Sequence, residues 1–343
     1  DGRLLLLLGS SRMPAEIFLC DPDALARSPQ RWTADLAPAA DGRLGMPLPG
    51  ALHAPEAGDA LQQLTFHNRA RLEELKMHRP EHFWFTGALG DSVHGFLLRP
   101  PQMDAAGETR GAEAARVPLV VVLHGGPQWA YHDFWLGSYN FQMIAARGYA
   151  VATINFHGSA GFGIAFQDAI RGNWGEIPGE DVRRGLEQIL ARFPFVDEER
   201  VAAIGRSYGG YLVNWLNGHS DRFQCLVTHS GGFDEAAGWG TTEELWFPEW
   251  EFLGPPWAQW EIYRRNSPAT YAERMRTPTL VIHGQRDYRV DLSDGLQTYA
   301  TLKRQQVPAR FLTFAEEGHH IHDPESWLLM WQEIFGWLHR HLD

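Results

Sequence analysis

The sequence predicts an α/β fold built on a mostly parallel sheet with helices on both faces, and three observations point to it. From Val117 onward, short apolar runs alternate with helical stretches. One of those runs ends in Gly205-Arg206-Ser207-Tyr208-Gly209, a serine between glycines at a strand-to-helix junction. The composition, 44% hydrophobic and 21% charged, is that of a packed globular chain and too apolar for disorder. A length of 343 residues suits one large domain or about two.

In the second half, residues 117–123, 149–155, 200–204, 224–228, 278–283 and 309–314 read as strands. Residues 179–193, 208–218, 293–304 and 324–341 read as helices. Apolar runs without polar alternation imply strands buried on both faces, which is the signature of a parallel sheet. Upstream the pattern differs. Residues 3–8 and 15–20 read as a hairpin turning at Gly9-Ser10-Ser11. A lone hairpin is marginal in water, so it is expected to be the last piece of a β-rich domain whose earlier part lies outside this chain. Six prolines between Pro22 and Pro55 break any long element and mark residues 21–60 as a linker. Residues 61–75 read as helical or irregular, 81–86 and 92–98 as a second hairpin, and 104–116 as a polar loop. The expected organisation is therefore 1–60 as the end of a β-domain plus linker, and 61–343 as the α/β domain.

Charge and cysteine content remove several function classes. A formal charge of −12 argues against nucleic acid as a partner. Two cysteines, Cys20 and Cys225, make neither a disulfide framework nor a multi-cysteine zinc site. The longest aliphatic run, Leu4 to Leu8, is far short of the roughly 20 residues of a membrane-spanning helix, and no membrane association is expected.

The serine motif is a G-x-S-x-G nucleophile elbow, the hallmark of the α/β-hydrolase fold. A sharp turn lifts the Ser207 hydroxyl clear of the sheet, and small neighbours make room for it. A serine nucleophile needs a base, and the base needs an orienting acid. In this fold the chain order is Ser, then Asp or Glu, then His. Asp287 follows the run 279–283 and His319 follows the run 310–314, so both fall in loops on the edge of the sheet that carries the elbow. His320 and His322 compete with His319 as base. His124-Gly125-Gly126-Pro127, at the end of the first strand of this half, is similar to loops that supply an oxyanion N–H. Gly126 N–H and Tyr208 N–H are the expected oxyanion donors.

Other constellations have simpler readings. His319, His320, His322 and Asp323 are spaced too tightly for a helical metal face, so no metal and no cofactor is expected. The glycine-rich stretch 157–163 lacks G-x-G-x-x-G spacing and reads as a loop. Seven aromatic residues between Trp239 and Trp260 could line an apolar substrate pocket, but a small helical subdomain with its own aromatic core is the preferred reading.

With these motifs in place, the chain resembles the prolyl oligopeptidase family of serine peptidases. The matching residues are His124 to Pro127, Asn155 to Phe162, Gly172-Asn173-Trp174-Gly175, Gly205 to Gly210 with Asn214-Trp215, Asp287 to Val290, and Glu317-Gly318-His319. The run from Thr241 to Phe252 resembles the dipeptidyl-peptidase V and acylaminoacyl-peptidase branch. The resemblance implies an α/β-hydrolase peptidase domain behind a β-propeller, with the opening hairpin as a remnant of the last blade. It implies short peptides as substrates and the remaining propeller portion as a partner. Dipeptide release is the leading expectation. Acylaminoacyl-peptidase, carboxypeptidase or oligopeptidase activity is the alternative, followed by a carboxylesterase. Glu243 and Glu244 are local candidates for holding a substrate ammonium group. Self-association into a homo-oligomer and the compartment stay open. Three features depart from the pattern: the Pro-rich stretch near residues 22–60 is longer than is usual between last blade and catalytic domain, His157 stands where Arg is usual, and Asp291 where Pro is usual.

Overall fold

The computed structural model describes residues 4–21, 61–103 and 116–343. The linker expected at 22–60 and the loop at 104–115 lie outside the described residues. Contacts divide the chain into two compact units that interleave along the sequence: residues 1–84, 94–115 and 131–151 in one, and 85–93, 116–130 and 152–343 in the other.

The first unit carries the opening hairpin. Strands β1 (Leu4–Ser10) and β2 (Met13–Cys20) pair antiparallel, and β3 (Leu61–Gln63) adds to β2. The turn falls at Ser11-Arg12, two residues later than its glycine suggests, because Ser11 N–H donates to the Asp133 carboxylate at 2.7 Å. Residues 61–63, read as helical or irregular, form this third strand; a three-residue run is too short for any period to show. Phe18 and Cys20 bury one face against Leu6, Leu8 and Met13, while Leu4, Leu5 and Leu7 remain exposed.

The second sheet has eight strands in the order β11-β10-β9-β8-β6-β7-β5-β4. Here β4 is Glu81–Thr86, β5 Ser92–Leu98, β6 Val117–Leu123, β7 Ala150–Asn155 and β8 Val196–Arg206. The remaining strands are β9 Cys225–His229, β10 Thr279–Gly284 and β11 Ala309–Phe314. From β6 through β8, β9 and β10 to β11 the strands pair parallel. β6, β9 and β10 are buried almost throughout, which accounts for their unbroken apolar runs. Helices Glu176–Arg192, Tyr208–Asn217, Leu292–Arg304 and Pro324–Leu342 follow the expected positions within three residues. Asp291, the departure from the usual Pro, caps Leu292–Arg304 by accepting from Ser293 N–H at 3.0 Å.

After β6 the chain runs to one side of the sheet through β7 and returns to the other through β8. The strand order therefore switches between β6 and β8, and such switch points open a crevice at the carboxyl ends of the strands. The loop at His124 and the elbow at Ser207 are the segments that leave those two ends. Their junction admits no side chains. A Cβ on Gly205 would lie 2.1 Å from Gly209 O, and one on Gly209 would lie 2.2 Å from Leu123 O.

Gly205→Ala is expected to lower stability by at least about 3 kcal/mol, beyond the usual cost of overpacking because both colliding groups are backbone. The urea unfolding midpoint measures this, and an unchanged midpoint would show that the junction can give.

Candidate active site

Ser207 sits between β8 and the helix Tyr208–Asn217 with φ 59° and ψ −126°. That is left-handed backbone for a residue with a Cβ, a conformation that costs about 1–3 kcal/mol and persists only where the surroundings fix it. They do so on two sides. Ser207 N–H donates to His229 O at the end of β9 at 2.9 Å, and Ser207 O accepts from Tyr211 N–H at 2.9 Å. Ser207 occupies the N-cap position, yet its hydroxyl makes no capping bond and is not consumed by the helix. Tyr208 N–H belongs to the first turn, whose donors have no partner within a helix and lie at its positive end.

The loop after β6 passes directly over this serine. A Cβ on Gly125 would lie 3.2 Å from Ser207 Cβ, so glycine sets the distance between the two segments. Gly126 has φ +118°, which places its peptide in a conformation that side chains rarely adopt. His124 is fully buried and anchors the loop. Its Nδ1 donates to Gly125 O at 2.8 Å, and its Nε2 accepts from the Ser159 hydroxyl at 2.8 Å.

The acid and the histidine meet across two loops. His319 Nδ1 lies 2.8 Å from Asp287 Oδ2, and Asp287 Oδ1 accepts from Arg289 N–H and Val290 N–H at 3.0 Å each. Burial pushes the Asp287 carboxyl up, but its bond to His319, the charge of that ring and the Val290 N–H together hold it below its ordinary value. The loops themselves are locked by backbone. Arg286 N–H donates to Glu317 O at 2.9 Å, and the Glu317 carboxylate accepts from His322 N–H at 2.9 Å and Asp323 N–H at 3.0 Å. The sequence marked Glu317 only as part of a motif; its role escaped because its partners are backbone groups, which leave no residue pattern.

Of the three neighbouring histidines, His322 is held through its backbone N–H by Glu317 and its ring lies against His320, and the other two separate by side-chain partner. His319 meets Asp287, whereas His320 Nδ1 accepts from Arg206 at 2.6 Å. Burial and the Arg206 charge push His320 down to about 4, so it stays neutral. Asp323 caps the helix Pro324–Leu342. No hydrogen bond joins the Ser207 hydroxyl to His319 among the described residues. The link between them runs through their neighbours Arg206 and His320 instead. Catalytic hydrogen bonds are often loose before substrate binds.

The aromatic segment divides. Phe252 and Tyr263 are buried, with Phe252 packed against both Trp174 and Tyr263, but Trp246, Trp250, Trp257 and Trp260 are all more than half exposed. The expected aromatic core therefore forms only in part. At its base lies Glu251, fully buried, which accepts from Gln128 Nε2 and Trp174 Nε1 at 2.6 Å each. A glutamate in a run with Glu243, Glu244 and Glu249 gives no sequence signal of burial. Glu243 and Glu244 are both engaged by Arg289, at 2.9 and 3.0 Å.

Because the folded Asp287 carboxyl lies below its unfolded value, its contribution to stability is present at neutral pH and lost as pH falls through the folded value. The stability difference between wild type and Asp287→Asn is expected to hold steady at neutral pH and shrink below about pH 4. Urea titrations from neutral pH down to acid measure this, and a difference independent of pH would contradict it.

Residues 135–343 match the model of the prolyl oligopeptidase family. Dipeptidyl-peptidase 5 of Schizosaccharomyces pombe is 34% identical over 260 residues, which are 75% of this chain and 37% of that protein. Dipeptidyl-peptidase 5 of Aspergillus oryzae is 38% identical over 296 residues, 84% of this chain and 39% of that protein. The chain thus spans well under half the length of these relatives. Among solved structures, the acylaminoacyl peptidase of Pyrococcus horikoshii superposes with a TM-score of 0.80 at 25% identity, covering 100% of this chain and 48% of that one. With the matched segment exceeding half its length, the chain belongs to the prolyl oligopeptidase family.

Proposed function

We propose that this chain carries the catalytic part of a serine peptidase that cleaves short peptides, acting as a dipeptidyl-peptidase 5-like exopeptidase. The observation that carries the reading is the hydrogen bond between His319 and the buried Asp287 on loops after β10 and β11, with Ser207 raised on the elbow after β8. With Nδ1 of His319 committed to the carboxylate, Nε2 is the nitrogen free to act as base. It takes the Ser207 proton as the hydroxyl attacks the peptide carbonyl. Asp287 fixes the tautomer and stabilises the imidazolium. The N–H groups of Gly126 and Tyr208 receive the developing oxyanion, where such donors are worth about 2.7–4 kcal/mol each. Collapse expels the amine with a proton from His319, and water then releases the acyl group. No step calls for a metal or cofactor.

The relatives named dipeptidyl-peptidase 5 support exopeptidase specificity as the first reading. Acylaminoacyl-peptidase activity is the second reading, favoured by the superposition on the P. horikoshii enzyme. Pairing with Arg289 takes up the charge of Glu243 and Glu244, which speaks against them as the sole ammonium site. We read residues 1–60 as the end of a propeller with its linker and 61–343 as the peptidase domain. The rest of the propeller, as a partner portion, would restrict access to short peptides.

The full-length protein is expected to release dipeptides from dipeptidyl substrates, and Ser207→Ala to lower kcat by on the order of 10⁶. Cleavage only of acyl-aminoacyl or C-terminally free peptides would transfer the assignment to those activities. Ester cleavage without any peptide cleavage would overturn the peptidase reading.

In the same assay Asp287→Asn is expected to keep substrate KM and lower kcat by about 10⁴, through loss of the correct His319 tautomer. A loss of less than tenfold would remove Asp287 from the proposed mechanism.

A further inference from the structure

His157 occupies a position where its side chain is wholly enclosed and faces two carboxylates. Asp181, in the helix Glu176–Arg192, is equally buried and lies 2.7 Å from Nδ1; Asp91, in the turn between β4 and β5, has a 62% exposed side chain and lies 3.2 Å from Nε2. The third neighbour, Phe166, stacks on the imidazole at 4.2 Å and carries no charge. An ionised carboxylate only accepts, so both ring nitrogens must donate and the ring is an imidazolium. Asp181 also receives His157 N–H and Ala88 N–H at 2.7 Å each, which joins the turn and the 156–160 loop to one carboxylate.

That loop holds the segment over Ser207 at both ends. At one end Phe156 stacks on His124 at 4.2 Å, and Ser159 Oγ donates to His124 Nε2. At the other, Ala160 N–H donates to Trp129 O at 3.0 Å. The segment 124–129 between these contacts contains Gly126. From this geometry we infer that His157 is a positioning residue for the oxyanion loop: as an imidazolium between Asp91 and Asp181 it fixes the 156–160 loop, and through Ser159, Phe156 and Ala160 it fixes the Gly125–Gly126 backbone. The part of this inference that concerns catalysis rests on the proposed peptidase mechanism.

Burial opposes the charge on His157, but the bonds and charges of Asp181 and then Asp91 outweigh it and raise its pKa. A histidine raised in the folded state stabilises fully below its unfolded value, about 6.5, and loses that contribution as pH rises through the folded value. Nε2, facing the exposed Asp91, is the proton expected to leave first. A lone pair then opposes a carboxylate and the brace slackens.

The test uses the full-length protein with His157→Gln, His157→Arg and Asp91→Asn. In hydrogen exchange at a single neutral pH, peptides covering 123–131 are expected to exchange about tenfold faster in His157→Gln than in wild type, and at the wild-type rate in His157→Arg. This readout needs no turnover, so it survives failure of the peptidase reading. On a cleaved substrate, His157→Gln should lower kcat about ten- to hundredfold with KM within about twofold. Asp91→Asn lies on an exposed turn, leaves Asp181 intact and should move the alkaline limb of kcat to lower pH. His157→Arg should abolish that shift if combined with it. Unchanged exchange in His157→Gln, or an alkaline limb unmoved by Asp91→Asn, would overturn the inference.

Discussion

The close approach of backbone to backbone where β6, β8 and the elbow helix converge is the constraint on which the candidate site depends. Gly209 lies against Leu123 O and Gly205 against Gly209 O, at distances no Cβ could share. Gly210 likewise meets Gly231 just beyond β9. Close-packed interiors leave no slack for a methyl group at such a point. Three strands are thereby held at a fixed separation, and their ends carry Ser207, the His124–Gln128 loop and His229. The strained backbone of Ser207 is tolerable because this junction, with the Ser207 N–H bond to His229 O, leaves it no alternative.

A second layer of order comes from buried carboxylates that bind backbone N–H groups. Asp287 holds Arg289 and Val290, Glu317 holds His322 and Asp323, and Asp181 holds Ala88 and His157. Asp294 does the same for Phe233 and Asp234. Each satisfies two loop donors from one buried side chain, and hydrogen bonds to a charged group contribute about 1.5–3 kcal/mol where they are shielded from water. Loops carry the chemistry of this fold, and these carboxylates give the loops the rigidity that catalysis needs from them. Several of the chain's most consequential carboxyl groups are thus internal.

Glu251 extends the same logic to the aromatic segment. It ties the helix Trp246–Glu251 to Gln128, two residues beyond Gly126, and to Trp174, whose carbonyl accepts from the Tyr208 hydroxyl at 2.6 Å. The exposed tryptophans therefore stand on a buried polar footing. Burial raises the Glu251 carboxyl, countered by its two hydrogen bonds and by Arg171. Arg171 also lies 4.0 Å over the Trp250 ring, so one guanidinium serves both the charge and the aromatic face.

How much was legible in advance follows from the range of the interactions. Strands β6 and β10 and the elbow were readable because burial on both faces and the glycine requirement act locally and leave a pattern of residue types. Asp287 and His319 were readable as positions in loops, since chain order and strand ends are sequence properties, but only packing chose His319 over His320 by giving one a carboxylate and the other an arginine. The turn at Ser11, the short strand β3, the burial of Glu251 and Glu317, and the two carboxylates on His157 depend on partners distant in the chain or on backbone groups without identity. The sequence by itself determined the kind of fold and the chemical groups at its sheet edge. Tertiary structure alone decided which carboxylates are internal and what they hold, because desolvation and hydrogen-bond geometry are properties of a place in space rather than of a residue type.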